Sequence, residues 1–268
     1  MIRVLLLVFV SVFINNFAQE ANKDLLIEKY TKKCAYNFHY LDQGWEDCIN
    51  NGIKEDSTVA IFWHHKALPL WKTGKYELAL ESYNKAVKYN RKEFLGRRGF
   101  LQCIFAKNYR AALRDLDAAT MEFGDGIQND HSYDFYKALC YLQLNQYDRA
   151  LTLMQSEIEK SIKQAGEDYV SPLCYFYTGI IFYEKRDYQK AILAFDKSLK
   201  LYPNFSDAQY YKALSNFKID KDHKAYIENA KIAKSNFDNK LTFNEGDSPY
   251  ERYPYQVNWY MINLEQGK

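Results

Sequence analysis

The chain has 268 residues, enough for a sizeable core in one large domain or two smaller ones. Its 36 basic and 34 acidic residues nearly balance, which argues against a protein that binds nucleic acid or an anionic membrane surface. Glycine and proline are sparse (11 and 5) and aromatic residues make up 17% of the chain. This composition favours packed helices over an all-β or disordered chain.

The N-terminus has the layout of a secretory signal peptide. Arg3 precedes an apolar run from Val4 to Ile14, and a polar stretch that includes Ala18 follows. We expect cleavage after Ala18, which makes residues 1–18 the signal peptide. An uncleaved anchor is the alternative, although the run is short for a span of about 20 residues. The mature protein is therefore expected to be exported, with a periplasmic, extracellular or envelope-associated location.

The five cysteines do not indicate a disulfide framework, because their number is odd and none forms a CxxC pair. We interpret most of them as buried thiols that act as small hydrophobic side chains. A bridge between Cys34 and Cys48, across the first helical hairpin, is the one pairing left open.

From residue 24 to residue 237 the sequence shows pairs of apolar runs with helical period. A tyrosine followed three residues later by an alanine marks the second run of a pair. This step recurs at intervals of about 34 residues. Insertions vary the interval, since extra residues are tolerated in turns. The step is found at Tyr76/Ala79, Tyr109/Ala112, Tyr147/Ala150 and Tyr188/Ala191, and in degraded form at Trp45/Cys48 and Asp222/Ala225. The pattern predicts stacked helical hairpins.

Two units carry the clearest pattern, residues 60–93 and 172–205. Small residues face large ones in each unit, and in the second unit Pro203 ends the pattern. The second unit matches at Tyr175, Gly179, Phe182, Tyr188, Ala191, Phe195, Ser198 and Pro203, and the first at Trp63, Ala67, Leu70, Gly74, Tyr76, Ala79, Tyr83 and Ala86. Both units resemble the tetratricopeptide repeat (TPR), a helix–turn–helix of about 34 residues.

The resemblance implies an all-α fold, a right-handed α-solenoid of TPR helix–turn–helix repeats with a non-repeat C-terminal cap. About five or six repeats would fill residues 24–237, with residues 24–55 and 206–237 as weaker end repeats that have one neighbour each. Residues 121–131 are predicted to form a loop, because Gly124 and Gly126 break the helix. The second helix of the repeat that starts at His131 is predicted to continue towards Gln164.

The last part of the chain, residues 238–268, does not follow the repeat. Its stretch from Tyr250 to Tyr255 is too aromatic for a free tail, and Pro254 excludes a helix interior. A short helix is expected over residues 257–266, with Trp259, Tyr260 and Ile262 packed inward. We interpret this segment as a cap over the last repeat; the alternative is a segment that folds back into the groove or docks on a partner.

The sequence does not indicate an enzyme. The motifs HExxH, GxSxG and GxxxxGK[ST] are missing, and the five histidines are scattered over the units. We therefore predict neither catalytic residues, nor a metal site, nor a cofactor.

The resemblance implies instead a concave face lined by the first helices of successive repeats. Rings and aliphatic side chains in such a row suit a peptide or protein partner, because rigid aromatic groups supply binding hot spots. The predicted partner-binding residues are His64, Leu68, Trp71, Lys72, Phe135, Leu139, Phe176, Ile180, Tyr183, Tyr210, Leu214 and Phe217. Of these, Trp71, Tyr183 and Tyr210 are expected to be half-exposed, since each carries a polar group.

The predicted function is that of a non-catalytic protein–protein interaction module, a scaffold or adaptor that holds a peptide or protein partner in its concave groove. Neither nucleic acid nor a membrane is expected as a partner, apart from the signal segment before cleavage. The alternative is a self-associating structural subunit of an envelope or cell-surface assembly. Because a fold does not fix a function, the partner is not predicted.

Overall fold

The computed structural model describes residues 20–243 and 251–263 of the chain. It divides into two compact units, one ending at Leu95 and the other beginning at Gly96. The expected signal peptide lies outside the described residues, so its cleavage stays a prediction. Among the described helices, none has both the length and the apolar character needed to cross a membrane.

The first unit contains irregular N-terminal turns followed by regular helices. Residues 20–27 are helical and continue into a π-helical turn, Glu28–Lys32, and a 3-10 turn, Ala35–Asn37. The helices are α1 (Gln43–Glu55), α2 (Ala60–Lys72) and α3 (Tyr76–Tyr89), and α4 (Arg91–Ile104) contains the boundary between the units. Helices α2 and α3 pack together as one hairpin.

A disulfide between Cys34 and Cys48 joins the N-terminal turns to α1, with the two Cα atoms 5.8 Å apart. Cys48 lies in the core of this unit together with Trp45, Ile49 and Phe62. The pairing that the sequence left open is therefore the one that forms. The other three cysteines, Cys103, Cys140 and Cys174, are free and buried, as expected.

The second unit is a series of helical hairpins followed by a C-terminal extension. After α4 its helices are α5 (Tyr109–Phe123), α6 (Tyr133–Gln143), α7 (Tyr147–Ala165), α8 (Pro172–Glu184), α9 (Tyr188–Leu201), α10 (Ser206–Asp220), α11 (His223–Asp238) and α12 (Trp259–Asn263). Pairs α6–α7, α8–α9 and α10–α11 pack closely along their lengths. The architecture is the predicted all-α fold of helix–turn–helix repeats.

The tyrosine–alanine step marks where the second helix of each regular hairpin begins. Helices α3, α5, α7 and α9 each start at the tyrosine of the step, and the alanine three residues later is fully buried in all four. Two residues before each tyrosine the chain adopts positive φ, at Gly74, Lys107, Asn145 and Arg186. The turn therefore has the same backbone form in each hairpin, although only one of the four residues is the glycine that this conformation favours.

The close contact expected in residues 172–205 is confirmed. A Cβ atom added to Gly179 of α8 would lie 2.4 Å from a ring carbon of Phe195 in α9, which no real side chain tolerates. Phe195 and Ala191 are fully buried. Asp187 begins α9 by accepting a hydrogen bond from the backbone N–H of Lys190 at 3.2 Å.

Two expectations for the segments between and after the repeats are wrong. Residues 121–123 complete α5, and the rest of the predicted loop contains a small hairpin in which β1 (Ile127–Gln128) pairs antiparallel with β2 (His131–Ser132). Asn129 and Asp130 close it with φ of 45° and 63°, a conformation that these residue types tolerate. In α12 only Ile262 packs inward, whereas Trp259 and Tyr260 are 68% and 66% exposed.

Candidate functional site

The C-terminal segment, which we define as residues 251–257, packs on a surface formed by the first helices of three hairpins, α6, α8 and α10. It has no regular secondary structure and turns at residues 254 and 255, where Tyr255 has a φ of 60°. Tyr253, Pro254 and Val257 are buried in this position. The segment therefore follows the first helices of three repeats, as in the alternative of a chain end that folds back, and a cap formed by residues 238–268 over the last repeat stays a prediction.

Three tyrosines, one on each helix, contact consecutive residues of the segment. The hydroxyl of Tyr136 lies 3.3 Å from that of Tyr253, the hydroxyl of Tyr177 donates to the carbonyl of Pro254 at 2.9 Å, and the rings of Tyr211 and Tyr255 lie 6.0 Å apart. Burial raises the pKa of Tyr177 well above its ordinary value, so the phenol remains a hydrogen-bond donor. We call the surface carrying these three tyrosines and Asp207 the tyrosine face.

Asp207, near the start of α10, binds the segment through a backbone amide. Its carboxylate accepts hydrogen bonds from the N–H of Val257 at 2.7 Å, from the hydroxyl of Thr242 at 2.5 Å and from that of Ser206 at 3.0 Å. The side chain is fully buried, and this burial raises the pKa of Asp207 to about 6 in spite of the three donors, which act in the opposite direction. A buried carboxylate with three donors is a strong anchor for the chain that supplies them.

The other end of the segment is fastened by side chains from two turns. Lys107, between α4 and α5, donates to the carbonyl of Arg252. Asn129, in the β-hairpin turn, donates to the Glu251 carboxylate at 3.3 Å. Contacts from these turns and from the tyrosine face hold the segment along its whole length.

Aromatic rings surround the start of the segment. Tyr253 lies between Phe243 and His131, with ring centroids 5.5 and 6.4 Å away. His131 stacks on Phe135 at 4.1 Å, and burial lowers the pKa of His131 to about 4. The histidine is therefore neutral at physiological pH and serves here as a packing group.

Two clefts flank the segment and leave part of the surface around it open. The first, of about 500 Å³, is lined by residues that include Lys107, Tyr109, Gln143, Arg252 and Trp259. The second, of about 480 Å³, lies on the side of Asn129, His131 and Glu251. Both clefts have one wall made by the C-terminal segment itself.

Half of the predicted binding residues are buried between helices. The buried ones are Trp71, Phe135, Leu139, Phe176, Ile180 and Tyr210, and the partly exposed ones are His64, Leu68, Lys72, Tyr183, Leu214 and Phe217. The expected half-exposed position is wrong for Trp71 and Tyr210, which are 2% and 6% exposed. Phe176 illustrates the reason, because its ring packs 5.3 Å from Phe205 and 6.0 Å from Phe195. Binding by the partly exposed residues stays a prediction.

In the first unit the predicted residues take part in ring packing. His64 stacks on Phe94 with centroids 5.6 Å apart. Trp71 packs against Tyr76 and Tyr83, at 5.8 and 6.3 Å. These contacts belong to the interior of the hairpin formed by α2 and α3 and the start of α4.

The three tyrosines that contact the segment each lie one position after a predicted binding residue. Tyr136, Tyr177 and Tyr211 each directly follow a predicted residue, Phe135, Phe176 or Tyr210. One residue turns a helix by about 100°, which moves a side chain from the packed side to the open side. The available signal was a pair of adjacent aromatic residues at the same place in three repeats. Asp207 and the segment itself had no such signal.

No metal centre is assembled by the described residues, where no group of three or more histidine, cysteine, aspartate or glutamate side chains is placed to hold an ion. The site is instead a surface that contacts backbone atoms and aromatic side chains of the chain's own C-terminal segment. Together with the fold, it defines the chain as an all-α helical-repeat protein.

Comparison with known families identifies the repeats. Three family models described as "Tetratricopeptide repeat" match residues 60–93, 105–165 and 172–205. The bounds of two matches equal those predicted for the clearest units, so the TPR resemblance is confirmed for these parts of the chain. Among curated proteins, none matches this sequence.

Several solved structures share the fold at low sequence identity. PilW, a widely conserved type IV pilus biogenesis factor, superposes with a TM-score of 0.59 at 14% identity, covering 87% of this chain and 97% of its own. PilF of Pseudomonas aeruginosa gives 0.57 at 17% identity, with coverage of 85% and 99%. MamA of Desulfovibrio magneticus RS-1 gives 0.52 at 18% identity, with coverage of 68% and 96%. At these identities the similarity concerns the fold alone.

Proposed function

We propose that this protein is a non-catalytic scaffold that binds a polypeptide segment of a partner protein on the tyrosine face. The observation that carries the proposal is that this face already holds a polypeptide, its own C-terminal segment. It does so through side-chain contacts to a carbonyl and to an amide, at Pro254 and Val257. A surface that binds main-chain atoms and aromatic side chains is suited to a peptide ligand.

Two further observations support this function. The matched repeats are of the tetratricopeptide type, whose members generally serve as interaction modules rather than enzymes. Tyr183, at the end of α8, is partly exposed and lies 5.8 Å from the ring of Tyr211, so it extends the face beyond the segment. A partner's aromatic or proline side chain would find rings to pack against there.

The proposal includes export of the protein from the cytoplasm. The N-terminal sequence has the layout of a signal peptide, and the Cys34–Cys48 disulfide is a bond that persists in oxidising compartments. Mass spectrometry of the protein from producing cells tests this directly. Export predicts a mature chain that begins at Gln19, whereas a chain that retains residues 1–18 contradicts cleavage.

The binding face is tested by placing a photoreactive phenylalanine analogue at Tyr183 in the full chain. Irradiation in producing cells should yield a discrete cross-linked species containing a second protein, identified by mass spectrometry. Leu193 is the control position, because it is 65% exposed on α9 and lies outside the tyrosine face. Cross-links that form equally from Leu193, or from Leu193 alone, contradict the assigned face.

A second candidate, a self-associating structural subunit, is favoured by one observation. Trp259 and Tyr260 are adjacent and more than half exposed at the end of the described chain. Large exposed aromatic side chains often mark a contact surface. Light scattering after size exclusion separates the candidates: a monomer at micromolar concentration supports the scaffold, and a concentration-dependent oligomer lost in Trp259→Ala supports self-association.

A further inference from the structure

The C-terminal segment contacts the tyrosine face in the way that a bound peptide would. Three of its contacts use main-chain atoms: the Arg252 carbonyl with Lys107, the Pro254 carbonyl with Tyr177, and the Val257 amide with Asp207. Such contacts can be made by any polypeptide that follows the same path. The face therefore recognises a backbone as well as a particular sequence.

Side-chain selectivity comes from the residues on either side of the turn. Tyr253 is buried against Phe243 and Tyr136, and Tyr255 packs on Tyr211. Pro254, between them, is buried and offers only its carbonyl to the face. A proline suits this position, since Tyr177 donates a hydrogen bond to its carbonyl and a proline has no backbone N–H that would need an acceptor.

Open surface beside the segment allows a competing peptide to make its first contacts there. The clefts of about 500 and 480 Å³ both adjoin the segment, and residues of the segment line part of each. Arg252 and Tyr253 border the first cleft, and Tyr253 borders the second. An incoming peptide can contact the face beside the segment before it takes the segment's place.

We infer that residues 251–257 are an internal ligand of the tyrosine face, and that the partner displaces them with a segment of the same chemistry: two aromatic residues flanking a proline, followed by a free backbone amide. This inference rests on the proposed function and specifies its ligand. A protein whose own segment covers the binding face binds its partner more weakly, by the fraction of time that the face is uncovered.

The test uses a fluorescent peptide with the sequence of residues 251–258, ERYPYQVN, and the full-length chain. Fluorescence anisotropy measures its affinity for the unmodified chain and for Tyr253→Ala, which weakens the chain's own segment and leaves the face intact. If the unmodified face is covered more than nine-tenths of the time, Tyr253→Ala should bind the peptide about tenfold more tightly or better. Tyr169→Ala, which removes a 77% exposed tyrosine elsewhere in the same unit, should leave the affinity unchanged.

Two controls locate the binding. A peptide in which both tyrosines are replaced by alanine should not bind, and adding Tyr177→Phe to Tyr253→Ala should lower the affinity severalfold, because the donor to the proline carbonyl is lost. Equal affinity of the unmodified chain and Tyr253→Ala, or the absence of binding by both of them, overturns the inference.

A second measurement on the unmodified chain does not depend on any substitution. Excess peptide should accelerate hydrogen exchange of the Val257 amide, because that N–H loses its bond to Asp207 when the segment leaves. Unchanged exchange at saturating peptide overturns the inference. If cross-links from position 183 still form in that case, the proposed function stands and only the inference fails. If the cross-links are absent as well, the proposed function fails too.

Discussion

Asp207 is the residue on which the docking of the C-terminal segment most directly depends. It is one of the few fully buried carboxyl groups that the structure describes, and its three hydrogen-bond donors come from α10 and from two places in the C-terminal extension. A buried charge is costly unless it is fully hydrogen-bonded. The segment therefore supplies part of the hydrogen bonding that this buried carboxylate needs and that the helix alone does not provide.

The pKa of Asp207 gives a pH-dependent stability. Its folded value of about 6 lies above the value of 3.8 for a free side chain, so the folded chain binds this proton more readily. The stabilising contribution is thus complete below about pH 4 and is lost as the pH rises through 6, a change of about 3 kcal/mol. Asp207→Asn should remove this contribution, so that the melting temperature falls less between pH 5 and pH 7.5 than in the unmodified chain.

The quantity to compare is the difference in melting temperature between Asp207→Asn and the unmodified chain at each pH. His131, whose pKa is lowered to about 4, acts in the opposite direction, since its contribution is lost as the pH falls from 6.5 towards 4. That contribution is common to both proteins and cancels in the comparison. Parallel pH profiles for Asp207→Asn and the unmodified chain would show that Asp207 does not titrate as described.

Gly179 is needed for its size. Because an added Cβ would collide with the Phe195 ring at 2.4 Å, Gly179→Ala should lower the free energy of unfolding by about 1–3 kcal/mol. Urea denaturation followed by circular dichroism measures the loss. Adding Phe195→Leu should recover part of this loss by relieving the collision. A double variant whose loss of unfolding free energy exceeds the sum of the two single losses would contradict this cause.

At the scale of helices, the parts that could be predicted are those fixed by neighbours in sequence. The tyrosine–alanine step lies at the start of one helix and depends on packing against the partner helix of the same hairpin. It correctly predicted the starts of α3, α5, α7 and α9. The exposed side of the first helices was predicted one residue out of place, because aromatic residues occupy both sides. Only the contacts with a distant segment distinguish Tyr177 from Phe176.

The turn that precedes each second helix permits a matched pair of substitutions. Gly74 and Arg186 occupy the same place in two hairpins, with φ of 77° and 62°. Gly74→Ala should cost about 1 kcal/mol through backbone strain alone, since an added Cβ meets nothing within 4 Å. Arg186→Gly should have the opposite sign, a gain of up to about 1 kcal/mol. Effects of equal sign in urea denaturation would contradict the backbone explanation.

For the whole molecule, the features that escaped prediction are long-range ones. Asp207 and Val257 are separated by 50 residues, and Tyr136 and Tyr253 by 117, with no periodic signal to connect them. The same applies to the disulfide, which the sequence left open among five cysteines. Repeats specify contacts between neighbouring hairpins, whereas the chain ends are positioned by residues outside the repeat pattern.

The disulfide provides a test on the intact molecule. In denaturant without reductant, three thiols should react with an alkylating reagent, those of Cys103, Cys140 and Cys174, and all five should react after reduction. Replacing Cys34 and Cys48 by serine should lower the free energy of unfolding by about 3 kcal/mol, the loss expected for a closed loop of this length. Reduction of the unmodified chain should produce the same loss, and reductant should not affect the double variant. Five reactive thiols in protein isolated from its native compartment would contradict both the bridge and the proposed export, because an oxidising compartment would have formed the bond.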